Sequence, residues 1–231
     1  MKKNKRYYLF QMDAMILSLL STVLFIVLLI IGAYTSFELL ALSIDKLFGM
    51  NLLLFLVIFF GYLFIHELLH SLAYVLYGGK YNKIIYGIAL EKGILYCLCK
   101  QNISKNNILH SLMYPLFFIG IVTLVISIIF NLPILYLLSI FNLSGCTGDI
   151  IMFIYISRLD KNIEFTEMDD PISFAIYSDK DVSKINHFGL NYLGAKDSVE
   201  RKDFTKIIVS KQSKTVLIIL IILGLIELIV L

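Results

Sequence analysis

Long uncharged apolar runs alternate with short polar segments along the chain. The first run, at 14–34, has 21 residues without Asp, Glu, Lys, Arg or His. A helix of that length crosses the roughly 30 Å of hydrocarbon in a bilayer. A second run extends from 51 to 79 and is interrupted only by His66, Glu67 and His70. The pattern therefore predicts two membrane-spanning helices in this part of the chain.

Two further spans are predicted between residues 106 and 148, a stretch of 43 residues without Asp, Glu, Lys or Arg. Asn131-Leu132-Pro133 is typical of a turn and separates a span at about 108–130 from one at about 134–157. A fifth, short span is predicted at 215–231 and carries Glu227. An alternative reading places 36–50 in the membrane interface, which would change the count by one.

The polar segment after the second run predicts a β-hairpin. Residues 83–99 contain two apolar runs rich in Ile and Tyr around Glu91-Lys92-Gly93. The expected fold class is an all-α polytopic membrane protein with about five transmembrane helices and this short hairpin.

Composition and charge agree with a membrane protein. Hydrophobic residues make up 59% of the chain and charged residues 16%, against about 25% charged in soluble domains. These values exclude a water-soluble domain, a disordered chain and a nucleic-acid-binding module. Three cysteines, an odd number, do not make a disulfide framework.

Basic residues predict the orientation of the spans. If there are five spans, one side of the membrane holds the segments 1–13, 78–107 and 158–214. These segments contain 19 of the 20 Lys and Arg residues. Lys46 is the remaining one. Because basic residues favour the cytoplasmic side, the N-terminus and both long polar segments are expected there.

His66-Glu67-Leu68-Leu69-His70 is an H-E-x-x-H sequence inside the second run. On a helix, residues i and i+4 share one face, so both imidazoles reach one Zn²⁺, and Glu67 can take a proton from water beside it. Ionisable groups within a membrane are functional by default, because burying them there costs several kcal/mol. The alternative is that these side chains only pair with polar partners inside the bundle.

A catalytic zinc site needs a third protein ligand, and Asp149 is the best candidate. His70 precedes the lysine at position 80 by ten residues, and Asp149 precedes Arg158 by nine, so both are expected at a similar depth. A structural hydrogen bond or a helix N-cap is the alternative role for Asp149. His110, at the start of span three, is the alternative third ligand.

Polar and small residues surround Asp149. Asn142 either binds substrate or packs between helices, and Gly145 and Gly148 are expected to allow close approach of span two. The thiol of Cys146 is either a ligand or a packing group. Cys97 and Cys99 form a C-x-C pair that either binds zinc or is buried as small apolar residues.

These motifs together resemble the bacterial DUF3267 family of zincin peptidases over about 50–178. The resemblance is carried by HELLHSLAYVLYGG from position 66, NLSGCTGD from position 142, and EMDDPISFAIY from position 167. That family is similar to the site-2-protease type of intramembrane zinc metalloprotease, whose third ligand comes from an N-x-x-P…L-D-G motif. Asn142 and Asp149 match its Asn and Asp, whereas Gly145 replaces the Pro and Ile150 the last Gly.

The resemblance implies a hydrolase of the bacterial cell membrane that uses zinc to cleave membrane or membrane-proximal proteins. His66, His70 and Asp149 would be ligands, Glu67 the general base, and Asn142 a substrate-binding residue. The alternative is a non-catalytic, zinc-stabilised accessory or immunity protein. The expected parts are an N-terminal span with an external loop (1–50), a membrane-embedded metalloprotease-like core (51–157), a cytoplasmic appendage (158–214) and a C-terminal span (215–231).

Overall fold

Helices account for more than half of the residues that the structure describes, and two β-sheets accompany them. A computed structural model describes residues 5–50, 52–89, 94–168, 170, 172–185, 188–199, 207–209, 218–219 and 221–222. The helices are α1 (Ala14–Thr35), α2 (Phe37–Phe48), α3 (Leu52–Leu76), α4 (Lys105–Pro115), α5 (Thr123–Ile129), α6 (Pro133–Gly145) and α7 (Thr147–Ser157). The strands are β1 (Arg6–Met12), β2 (Ile84–Ala89), β3 (Ile94–Cys99), β4 (Ile103–Ser104), β5 (Glu164–Glu167), β6 (Ser173–Ser178), β7 (Leu190–Lys196) and β8 (Ile207–Val209).

Three helical segments of the described residues are long and apolar enough to cross a membrane, and a bent pair makes a fourth. They are α1, α3, the segment Lys105–Ile129, and α6 with α7, whose axes differ by 41°. The four spans predicted between 14 and 157 each correspond to one of these. The predicted fifth span at 215–231, with Glu227, falls almost entirely outside the described residues. The segment 36–50 forms α2, which packs on α6 through Ser43, whose hydroxyl donates to the Pro133 carbonyl at 2.7 Å.

The third candidate span contains a π-helical stretch, Leu116–Val122, between α4 and α5. It follows Pro115, which has no N–H to donate and so disturbs the helical ladder. Side chains from neighbouring helices bind carbonyls at this point. The Asn142 amide donates to the Pro115 carbonyl at 3.2 Å, and the Tyr62 hydroxyl donates to the Ile119 carbonyl. These bonds fix α3 and α6 against the irregular span.

The all-α expectation is wrong, because five strands form an antiparallel sheet in the order β4-β5-β6-β1-β7. Strand β1, from the basic N-terminal segment, pairs on one side with β6 and on the other with β7. Its sequence does not predict a strand, because a short basic segment before a span resembles a membrane flank. Its apolar residues instead pack in the sheet, where Phe10 is fully buried.

The predicted hairpin is confirmed as strands β2 and β3, which pair antiparallel with Ile84 opposite Cys99 and Ala89 opposite Ile94. Its turn, Glu91-Lys92-Gly93, lies outside the described residues. A parallel strand, β8, pairs with β2, so β3 is an edge strand of this second sheet.

Aromatic side chains join the five-stranded sheet to helix α7. The Phe10 ring lies 5.1 Å from the Tyr155 ring and 5.6 Å from the Phe174 ring, and all three residues are buried. At the far end of α7, the Lys105 ammonium donates to the carbonyls of Ser157 and Leu159. The helix that carries Asp149 is therefore held along its length and at its C-terminus.

Candidate metal centre

Two histidines of α3 and one aspartate of α7 meet in the interior of the helical bundle. The Nε2 atoms of His66 and His70 lie 3.1 Å apart. The Asp149 Oδ2 atom is 3.6 Å from the first and 3.5 Å from the second. The structure thus brings together the three side chains that the sequence predicts as metal ligands, and they form a group able to hold a metal ion.

The orientation of each ring is set by a hydrogen bond on its other nitrogen. The His70 Nδ1–H donates to the Ser111 carbonyl at 3.0 Å, since a carbonyl can only accept. Asn142 Oδ1 lies 2.8 Å from His66 Nδ1, and the Asn142 amide nitrogen donates to the Pro115 carbonyl. The amide orientation is thereby fixed with the oxygen toward His66, so the His66 Nδ1–H is also a donor. In both neutral rings Nε2 carries the lone pair.

The donor set fits zinc. Two lone pairs at 3.1 Å repel each other unless a positive charge, either a metal ion or a proton, lies between them. Ligand atoms bonded tetrahedrally at about 2.0–2.1 Å are separated by about 3.3 Å. The three separations here, 3.1, 3.5 and 3.6 Å, scatter around that value. Histidines held by carbonyl acceptors on the second nitrogen are also the usual surroundings of metal-bound imidazoles.

A break in the fourth candidate span places Asp149. Helix α6 ends at Gly145, and α7 begins at Thr147 with Asp149 in its first turn. The N-cap of α7 is Cys146, so Asp149 does not fill the N-cap role weighed above. A carboxylate in the first turn is favoured by the helix dipole.

The two glycines beside Asp149 do not bring α3 close, and that expectation is wrong. A Cβ at Gly148 would meet Leu17 of α1 and the sulfur of Met12, each at 3.5 Å, whereas a Cβ at Gly145 would have no neighbour within 4 Å. Both glycines instead line a cavity that opens onto the metal ligands. Side chains at these positions would take up part of its space.

The cavity has a volume of about 160 Å³ and contains Glu67 beside the three candidate ligands. The backbone N–H of Cys97 on strand β3 faces the Glu67 carboxylate. The remaining wall is mainly apolar and includes Leu17, Leu95, Leu98, Leu112, Met152 and Ile172. Glu67 therefore faces the same space as the ligand atoms, as a general base for a reaction there requires.

The other residues considered from the sequence lie outside this group of three ligands among the described residues. His110 is exposed on α4 and stacks on the Tyr77 ring, with centroids 4.7 Å apart, so it is not part of the group of ligands. Cys97 and Cys99 are buried on β3, and Cys97 lines the cavity. Cys146 is buried at the α6–α7 break, where its sulfur accepts a 3.6 Å hydrogen bond from the Asn142 amide.

Asn142 is 2% exposed, and both polar atoms of its amide are bonded within the protein as described above. Substrate binding by this residue stays a prediction.

Glu167, at the end of β5, was given no role from the sequence yet lines the same cavity. Its carboxylate accepts a 2.8 Å hydrogen bond from the Tyr74 hydroxyl and another from the Cys99 backbone N–H. Burial raises the pKa of Glu167 to about 7, although these two donors act in the opposite direction. The one signal in the sequence was its place in the EMDDP segment of the family resemblance.

Comparison with known proteins bears on the central part of the chain, which contains the candidate metal ligands. Residues 58–163 match the family model DUF3267, whose description is "Putative zincin peptidase". The predicted resemblance is confirmed over this range, which includes His66, His70 and Asp149. No curated protein and no solved structure matches the chain.

Proposed function

We propose that the protein is a membrane-embedded, zinc-dependent peptidase that cleaves membrane or membrane-proximal proteins near the cytoplasmic leaflet. The observation that carries the proposal is the convergence of the His66 and His70 Nε2 atoms and the Asp149 carboxylate at 3.1–3.6 Å. The match of residues 58–163 to a zincin peptidase family supports it. So do the three or four helices that are long and apolar enough to span a membrane.

His66, His70 and Asp149 would hold the zinc ion, which when bound supplies Lewis acidity toward a carbonyl and makes water a better nucleophile at neutral pH. Glu67 is not among these ligands and faces the same cavity. In the proposed reaction its carboxylate takes a proton from the attacking water and later returns it to the leaving amine nitrogen. The Leu and Met side chains of the cavity wall give this transfer mainly apolar surroundings.

The substrate must present an extended segment, because a helix keeps its amides in internal hydrogen bonds. Strand β3 is the edge of its sheet and forms part of the cavity wall. An extended peptide could add to this edge as a further strand. Deletion of 84–99 should abolish cleavage, and unchanged cleavage after that deletion would refute strand pairing.

Glu67→Gln tests the proposed activity most sharply. Gln has nearly the same size but cannot accept the proton, so turnover should fall by at least about 10²–10⁴ while zinc stays bound. The experiment compares the membrane proteomes of cells that produce the wild-type protein, the Glu67→Gln variant or a control variant. The control is Glu38→Gln, at an exposed position of α2. Uncut substrates should accumulate only with Glu67→Gln. If Glu67→Gln behaves like wild type while His66→Ala does not, the zinc has a structural role and the accessory-protein alternative is favoured.

A further inference from the structure

We propose that Glu167 is a positioning residue for Glu67 and acts through strand β3. The inference rests on the proposed role of Glu67 as general base. It is carried by two hydrogen bonds that converge on one carboxylate from separate elements. The Tyr74 hydroxyl comes from α3, one turn after His70, and the Cys99 N–H comes from the hairpin. Glu167 itself belongs to the five-stranded sheet, so one side chain joins both sheets to the H-E-x-x-H helix.

The geometry of an extended strand connects this carboxylate to Glu67. Residues i and i+2 of a strand direct their backbone N–H groups to the same side, roughly 6.5–7 Å apart. The N–H of Cys99 donates to Glu167, and the N–H of Cys97 faces the Glu67 carboxylate. Two carboxylates in succession therefore face the cavity-side edge of β3, and the Glu167 carboxylate is hydrogen-bonded to it. Fixing Cys99 fixes the position of the Cys97 N–H, and this N–H determines where the Glu67 carboxylate rests.

The ionised form of Glu167 is the one suited to this contact. A carboxylate accepts from the Tyr74 hydroxyl and the Cys99 N–H together, whereas a protonated acid has to use one oxygen as a donor. Because the pKa of Glu167 is about 7, the contact should weaken as the pH falls below neutrality.

The groups facing Glu167 include Tyr74, Cys97 and Cys99 in its immediate surroundings. His70 and Glu67 act on it from the metal side of the cavity.

The thiol of Cys97 gives a direct readout of the position of β3. Cys97 is 5% exposed and lines the cavity, so a thiol reagent reaches it only when β3 moves away. The full-length protein with Cys99→Ala and Cys146→Ala keeps this single thiol and leaves the Cys99 backbone N–H in place. In that background Glu167→Gln is compared with Glu164→Gln, which removes a carboxylate of the same strand that binds Asn102.

Glu167→Gln should raise the labelling rate of Cys97 roughly tenfold at pH 8, as expected when a hydrogen bond to a charged group is lost. Glu164→Gln should leave the rate unchanged. The ratio of the Glu167→Gln rate to the background rate should fall toward one below pH 6, where the wild-type carboxyl is protonated. A ratio of one at pH 8, or a raised ratio that does not vary with pH, would overturn the proposal.

Zinc content distinguishes positioning of β3 from general loosening of the site. Glu167→Gln should retain the wild-type zinc content, and loss of zinc together with faster labelling would count against the proposal. If Glu167→Gln does not fold, Tyr74→Phe removes one of the two donors and should raise the labelling rate in the same direction. Labelling does not depend on proteolysis, so this result stands apart from the test of Glu67 as a base.

Discussion

Each histidine of the metal centre has one nitrogen committed to a hydrogen bond, and this determines what the other nitrogen can do. The acceptor for His70 is a backbone carbonyl, whereas the acceptor for His66 is the side chain of Asn142. A side-chain acceptor can be removed by substitution. Asn142 is therefore the residue through which ring orientation can be tested.

Asn142→Ala should lower zinc affinity about 10- to 100-fold, because the His66 ring loses the partner that fixes its tautomer. Asn142→Asp should retain more affinity than Asn142→Ala, since a carboxylate still accepts from His66 Nδ1–H. Competition with a chromophoric chelator measures the difference. The matched control is Ser144→Ala on the same helix, where the hydroxyl donates to the Phe141 carbonyl. Equal affinity in wild type and Asn142→Ala would refute the orienting role.

The sequence predicts the metal ligands more readily than it predicts the groups that hydrogen-bond to them. The i, i+4 spacing of His66 and His70 and the isolated acidic residue at 149 have a direct geometric meaning. The Ser111 and Pro115 carbonyls carry no sequence signal, because every residue has a carbonyl. Glu167 lies in a polar segment where an acidic residue is expected to face water, so its inward orientation depends on how the sheet packs.

At the scale of elements, helix α7 is the part whose placement matters most, since it carries Asp149 in its first turn. Its C-terminal carbonyls meet the ammonium of Lys105, which donates to Ser157 at 2.7 Å. This contact satisfies acceptors that the helix leaves open and places a positive charge at the negative end of its dipole.

Lys105→Met should therefore lower the free energy of unfolding by about 1–3 kcal/mol, because two carbonyls lose a charged donor while the apolar stem is kept. The shift in thermal unfolding midpoint of the detergent-solubilised protein measures this. Lys161→Met, at an exposed position in the following loop, serves as the control. An unchanged midpoint for Lys105→Met would show that α7 is held by the aromatic contacts alone.

The elements were predicted unevenly, for physical reasons. The four spans predicted between 14 and 157 and the hairpin have long or alternating apolar patterns, and each corresponds to an element of the structure. The strands of the five-stranded sheet have 2 to 7 residues and mixed polarity, and β1 pairs with strands more than 160 residues away. Such pairing depends on distant partners, which no local pattern contains. The break at Gly145–Thr147 has no local signal beyond the glycines around it.

At the scale of the whole molecule, one sheet joins the three segments that the basic residues assign to a single side of the membrane. Strand β1 comes from 1–13, β4 from 78–107, and β5 to β7 from 158–214. Segments that share a sheet must lie on the same side, which agrees with an even number of spans between them. The side itself remains a prediction from charge.

A reporter fused after Lys161 should therefore read as cytoplasmic, and one fused after Asp45 as external. Paired phosphatase and fluorescent-protein fusions at both positions make the measurement. If both positions read as lying on one side, α1 and α3 would not each cross the membrane. The reverse pattern would keep the shared sheet and overturn the cytoplasmic assignment.

The most direct test of the account is the zinc content of the purified full-length protein, measured by mass spectrometry beside three variants. We predict about one zinc ion per chain in wild type, a loss of most of it in His66→Ala and Asp149→Ala, and wild-type content in His110→Ala. His110 is the matched control, because it is a histidine near the same helices and outside the group of ligands. A wild-type protein without zinc, or a His110→Ala variant that loses as much as Asp149→Ala, would contradict the proposed metal centre.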